Sequence, residues 1–152
     1  MQFARKTKNR KTMPGLDFKS EKEFQGYLVA NADKWAVDFF GAELASLDEQ
    51  WYMRKLKRFG GNKPRIDIRL KLKNGRTVGV EVKNPSQAYS ELSRSISQLL
   101  GYAVLAEEGN EPFDELAIIT SAVDPILSKI VKKFNLPVRI FVVTREIHGE
   151  FK

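Results

Sequence analysis

The chain has 152 residues, 42% hydrophobic and 30% charged, which is about one domain's worth of chain with enough apolar material for a core; that composition excludes a disordered or fibrous polypeptide. With no Cys and one His, His148 near the end of the chain, it offers no disulfide, thiolate metal site, iron–sulfur cluster or Cys nucleophile, so any chemistry falls to carboxylates, Lys, Tyr and amides. Twenty-six Lys and Arg against 19 Asp and Glu leave a formal +7 and a pI near 9.6, a balance suited to polyanions, with nucleic acid ahead of an anionic membrane surface.

No apolar run reaches the ~18 residues of a membrane helix, and MQFARKTKNRKT has no signal-peptide core. The expected setting is intracellular: cytoplasm, or host cytoplasm for a viral protein. Residues 1–15, with Arg5, Lys6, Lys8, Arg10 and Lys11, read as a flexible basic arm that either lies along phosphates or is a solvated tail. Residues 16–152 read as the folded domain.

Ser20-x-x-Glu23 is a capping box that opens a helix through Phe24, Tyr27 and Leu28 to about Asn31. Residues 33–48 read as further helix and loop, with Trp35, Phe39, Phe40 and Leu44 in the core. WYMRKLKR (51–58) is strand-like and basic. Residues 65–73 alternate strictly, as do 77–83, with Asn74-Gly75 as a hairpin turn between them. Residues 87–105 have the apolar spacing of a long helix. LAIIT (116–120) is a buried strand, 125–134 a helix, and 138–144 a last buried strand. The order predicts a mixed central α/β sheet flanked by helices, in a single domain.

The hairpin register determines which side chains meet. A two-residue Asn74-Gly75 loop would put Asp67 and Arg69 on the face of Val80 and Val82. A three-residue loop, Lys73-Asn74-Gly75 with Gly75 left-handed, pairs Leu72 with Arg76, Ile68 with Val80, Ile66 with Val82 and Asp67 with Glu81. Burial selects the second, so Asp67 faces Glu81 across the strands with Lys83 on the same face. Opposed acids repel unless something positive intervenes. A divalent cation that prefers carboxylate oxygens does this. Arg65, Arg69 and Lys83 on a solvated sheet face do it equally well, and charge pairing alone does not choose between them.

On the first helix Glu21 shares a face with Phe24 and Leu28, while Glu23 points away as the capping acid. Glu21 is therefore placed to reach the sheet, although an acid there also stabilises the helix N-terminus by ~0.3–1 kcal/mol. On the long helix Arg94, Gln98 and Tyr102 form one stripe at ~100° per residue. Leu92, Ile96, Leu99, Leu100, Ala103 and Val104 fall on the opposite face.

Asp67, 13 intervening residues, and Glu81-Val82-Lys83 at the end of the next strand resemble the core of the PD-(D/E)XK nuclease superfamily. The first element reads Pro64-Arg65-Ile66-Asp67, with the Pro displaced from the Asp. Gln98-Leu99-Leu100-Gly101-Tyr102 is similar to the Q-x-x-x-Y signature of its RecB-type branch, and Glu21 stands where such nucleases carry a helix-borne acid. The resemblance spans roughly residues 20–120 and implies a restriction-endonuclease-like fold with a Mg²⁺-dependent deoxyribonuclease activity, Mn²⁺ substituting. It implies Asp67, Glu81 and the Val82 carbonyl as metal ligands, with Lys83, Glu21, Gln98 and Tyr102 catalytic. DNA would be the partner, with a homodimer possible, held by Arg94, Arg54, Lys55, Lys57, Arg58, Arg5 and Lys6. The rivals are a Holliday-junction resolvase of the same superfamily and a non-catalytic DNA-binding module on a nuclease-like fold. A membrane-surface protein ranks last, because the arm is not amphipathic.

Overall fold

The computed structural model describes residues 18–52, 65–84, 90–122, 125–146 and 148–151. The basic arm and the cluster Arg54, Lys55, Lys57 and Arg58 lie outside the described residues, as does Pro64.

Ser20 caps α1 (Glu21–Ala30) by accepting from the Glu23 amide at 3.0 Å. Glu23 reaches back one residue further than a capping box requires, accepting from the Lys19 amide at 2.9 Å. After Asn31 the chain re-enters helix as α2 (Ala32–Phe40), and Gly41 ends it in the left-handed conformation that glycine adopts without strain. Both helices bury an aromatic-rich face built from Phe24, Leu28, Trp35, Phe39 and Phe40.

The sheet order is β1 (Leu44–Tyr52), β2 (Arg65–Leu72), β3 (Thr77–Lys83), β4 (Glu115–Thr120), β5 (Arg139–Val143), β6 (His148–Phe151). The first three strands form an antiparallel meander, β3, β4 and β5 run parallel, and β6 returns antiparallel. The two parallel crossovers carry α3 (Ser90–Glu108) and α4 (Pro125–Lys133). One face of the sheet packs Val78, Val80, Val82, Ala117, Ile119, Phe141 and Val143 against α1 and α2. The other packs Leu116, Ile118, Val138 and Ile140 against Ile96 and Leu99 of α3 and Leu127 of α4. This is the expected mixed α/β sheet flanked by helices. Among the described residues, no helix is long and apolar enough to cross a membrane.

Three local readings are corrected. Residues 44–48 belong to β1, not to helix or loop: LASLDEQWY is an edge strand whose outward charges blur its alternation. Residues 148–151, beyond the last strand expected from the sequence, form β6, where His148 sits 3.5 Å from Asp38, although HGEF carries a single large apolar residue. Val104, placed on the core face of the long helix, is 57% exposed. The buried face turns instead through Ser95, Ile96, Leu99 and Ala106.

Candidate active site at the splayed end of the central hairpin

The turn between β2 and β3 takes the three-residue form. Leu72 N–H donates to Arg76 O at 2.9 Å, Gly75 N–H to Leu72 O at 3.0 Å, and Gly75 has φ +89°. A side chain other than glycine is strained at that φ. Ile68 stands opposite Val80 and Leu70 opposite Val78, as burial required.

The ladder stops there. Beyond Ile68–Val80 the strands separate, and the Asp67 side chain spans the opening: Val82 N–H donates to Asp67 Oδ2 at 2.8 Å. Ile66 does not join Val82 as the register predicts. It packs in the opposite core cluster with Ile96 and Leu99. Gly79 makes room for it, since a Cβ at that position would lie 2.9 Å from Ile66 Cδ1 and 3.2 Å from the Phe113 ring.

Glu81 is 5% exposed, and its Oε1 has no hydrogen-bond partner. Burial first, then the Asp67 charge, pushes its pKa up to about 8; nearby Lys83 pulls the other way, while a hydrogen bond to Asp67 and the Glu21 charge raise it further. Lys83 Nζ lies 3.8 Å from Glu21 Oε1, so α1 does deliver its acid to the end of β3. Glu23 instead pairs with Arg145 at 3.2 Å. Tyr102 is half-buried beside Phe113, not turned away from the core, and its hydroxyl is harder to ionise because of burial and the charges of Glu81 and Asp67. Asp67, Glu81, Lys83, Glu21 and Tyr102 therefore converge, whereas Gln98 and Arg94 occupy the exposed side of α3.

Three polar residues around this centre escape the sequence reading. Asn84 is buried. Its amide donates to Phe18 O at 3.1 Å, and its Oδ1 accepts from Ser121 Oγ, tying the end of β3 to β4 and to the segment leading into α1. Alternation through Val78, Val80 and Val82 puts Asn84 on the buried face, a signal available in the sequence. Gln25 Nε2 donates to Glu49 Oε1 at 3.0 Å and to Asp67 O at 3.5 Å, and Gln50 Nε2 to Asp67 Oδ1 at 3.4 Å. Two glutamines far apart in the sequence give no such signal.

The donor set suits a hard divalent cation. A buried carboxylate with an orphaned oxygen, coupled to a second carboxylate, is costly without a positive charge between them. Among the described residues no group of three or more His, Cys, Asp or Glu side chains is disposed to hold a metal. Asp67 and Glu81 are the two carboxylates that could hold such an ion, and a hard cation bound by only one or two acids keeps several waters.

No family model and no curated protein matches the chain. Among solved structures it is similar to a repair endonuclease from Pyrococcus abyssi, with a TM-score of 0.53 and 18% identity over 82% of this chain and 47% of the other. A weaker likeness, with a TM-score of 0.48 and 16% identity, joins 91% of this chain to 49% of EndoMS, solved in complex with double-stranded DNA. The chain spans about half the length of these proteins. The first likeness is one of fold: the mixed sheet and its flanking helices follow a nuclease-like α/β plan.

Proposed function

We propose that the protein is a Mg²⁺-dependent DNA nuclease of the PD-(D/E)XK type with a RecB-like Q-x-x-x-Y element. The observation that carries this reading is the convergence of Asp67, Glu81 and Lys83 at one splayed strand end, with one buried Glu81 oxygen left unpaired. Asp67, Glu81 and the Val82 carbonyl would hold the ion, with Mn²⁺ able to replace it. When bound, it supplies Lewis-acid polarisation of a phosphodiester and a water of lowered pKa.

The chain's own residues do the rest. Val82 N–H holds one oxygen of the Asp67 carboxylate. Lys83 offers an ammonium, restrained by Glu21, to the charge that builds on the phosphorus oxygens. The Tyr102 hydroxyl keeps its proton beside the two acids and so remains a donor to a strand phosphate. Arg94 and Gln98, exposed on the same helix, contact the backbone further out. The basic arm and Arg54, Lys55, Lys57 and Arg58 add phosphate neutralisation, each contact contributing ~0.9 to the log–log salt slope on duplex DNA.

Incubation of the purified chain with linear duplex, single-stranded and four-way-junction DNA, in Mg²⁺ or Mn²⁺ against EDTA, tests this. Metal-dependent cleavage is expected. Binding without cleavage under every metal condition would make the protein a DNA-binding module on a nuclease-like fold. Symmetric cutting confined to the junction, together with a dimeric native mass, would make it a resolvase.

A further inference from the structure

Gln50 stands at an unusual point in the backbone. Its φ is +49°, inside β1, where extended geometry is the rule. The other described positions of positive φ lie outside the strands: Gly41, Asn110 and Asn135 follow helices, and Gly75 sits in the hairpin turn. All are Gly or Asn, the residues that tolerate the left-handed region, whereas Gln has no such tolerance. A non-glycine residue in this region is strained and persists only where its surroundings over-determine it.

Those surroundings are specific. The β1–β2 register is continuous across the kink, with Glu49 opposite Ile68 and Trp51 opposite Ile66, so no residue has been inserted and the pair omitted between them is Gln50–Asp67. At this point both strands change the face they present. Ile68 and Leu47 pack towards α1 and α2, whereas Ile66 packs with the α3 side and Trp51 lies edge-on to Phe113. Gln25 of α1 clamps the turnover by bonding to Glu49 Oε1 and Asp67 O. The result of the kink is that the Gln50 amide points at Asp67 Oδ1 while Val82 N–H holds Oδ2. Asp67 thus has a donor at each oxygen from the strands on either side of it, at 3.4 Å from Gln50 and 2.8 Å from Val82.

We propose that Gln50 is a positioning residue for Asp67: the strain in β1 is retained because it aims an amide that sets the rotation of this carboxylate. The inference rests on the nuclease reading above and adds a strand-borne orienting group to it. Two variants separate the parts of the device. Gln50→Gly removes both the strained side chain and the amide; Gln50→Met keeps the length and the strain but has no donor.

The measurements are thermal unfolding of the metal-free protein, Mn²⁺ affinity by titration calorimetry, and kcat on duplex DNA. For Gln50→Gly the unfolding midpoint should equal or exceed that of wild type, while Mn²⁺ affinity and kcat fall about 10–100-fold, the usual cost of losing a group that orients a metal ligand. Gln50→Met should show the same loss of affinity with no gain in midpoint. Wild-type Mn²⁺ affinity in either variant, or a lower midpoint in Gln50→Gly, overturns the proposal while leaving the nuclease reading intact. A wild-type protein that neither binds Mn²⁺ nor cuts DNA sinks both, so the wild-type arm of the experiment tells the two failures apart.

Discussion

Val82 N–H donates to Asp67 Oδ2 at 2.8 Å across the point where the β2–β3 ladder has ended. An aspartate side chain has replaced a backbone carbonyl as the acceptor, so the strands splay without leaving a buried amide unsatisfied. That substitution brings Asp67 and Glu81 into one electrostatic unit, and the chemistry proposed here follows from it.

Asp67→Asn keeps an acceptor oxygen for Val82 N–H but removes the charge. Its thermal midpoint should stay close to that of wild type, while Mg²⁺-dependent cleavage disappears and salt-sensitive DNA binding persists. Gel-shift and cleavage assays on the same preparation check both parts.

Glu81 dictates a pH dependence. Its pKa in the folded protein is about 8, against 4.5 for an unperturbed Glu. The folded state therefore holds a proton that the unfolded chain has lost between these values, and stability falls wherever the folded state binds more protons. Metal-free protein is expected to lose stability as pH rises from about 4.5 to 8 and to level off above. Glu81→Gln should flatten that dependence and be more stable than wild type at pH 8–9. Because an ion must displace the same proton, Mn²⁺ affinity of the wild type should climb with pH over this window. Denaturant unfolding and calorimetric titration at a series of pH values test these points.

Glu21 and Lys83 are 47% and 22% exposed at the side chain, and a pair this wet contributes little to folding. Glu21→Gln should shift unfolding free energy by less than about 1 kcal/mol. Cleavage should nevertheless slow, because Lys83 loses the partner that restrains it. Equal loss of stability and activity would instead mark the pair as structural.

Gly79 leaves room that its neighbours fill. An added methyl would press on Ile66 Cδ1 at 2.9 Å and on the Phe113 ring at 3.2 Å. Overpacking of this kind costs about 1–3 kcal/mol. Gly79→Ala should fall in that range by urea unfolding, and Gly79→Ala combined with Ile66→Val should recover part of the loss.

Much of this architecture was legible in the sequence. Strict alternation in 65–72 and 77–83, with Gly75 as the residue able to turn left-handed, specified the hairpin register, because a one-residue slip would have buried Asp67 and Arg69. Glu21 was separated from Glu23 by helical phase alone, and their partners, Lys83 and Arg145, differ accordingly. The departures share a cause. Periodicity assumes that a strand keeps its faces, whereas β1 and β2 exchange theirs at Gln50 and Asp67, so Ile66 left the core assigned to it. β1 and β6 are the two edges of the sheet, with one neighbour each and weaker burial, and their patterns were correspondingly faint.

The most direct test is a side-by-side cleavage assay of wild type and Lys83→Ala on duplex DNA, with Mg²⁺ and then with EDTA. Cutting by wild type that EDTA stops and Lys83→Ala lacks, with DNA affinity retained in the variant, is the expected result. Cutting that survives EDTA, or a Lys83→Ala protein as active as wild type, would contradict a metal-dependent centre built on the ends of β2 and β3.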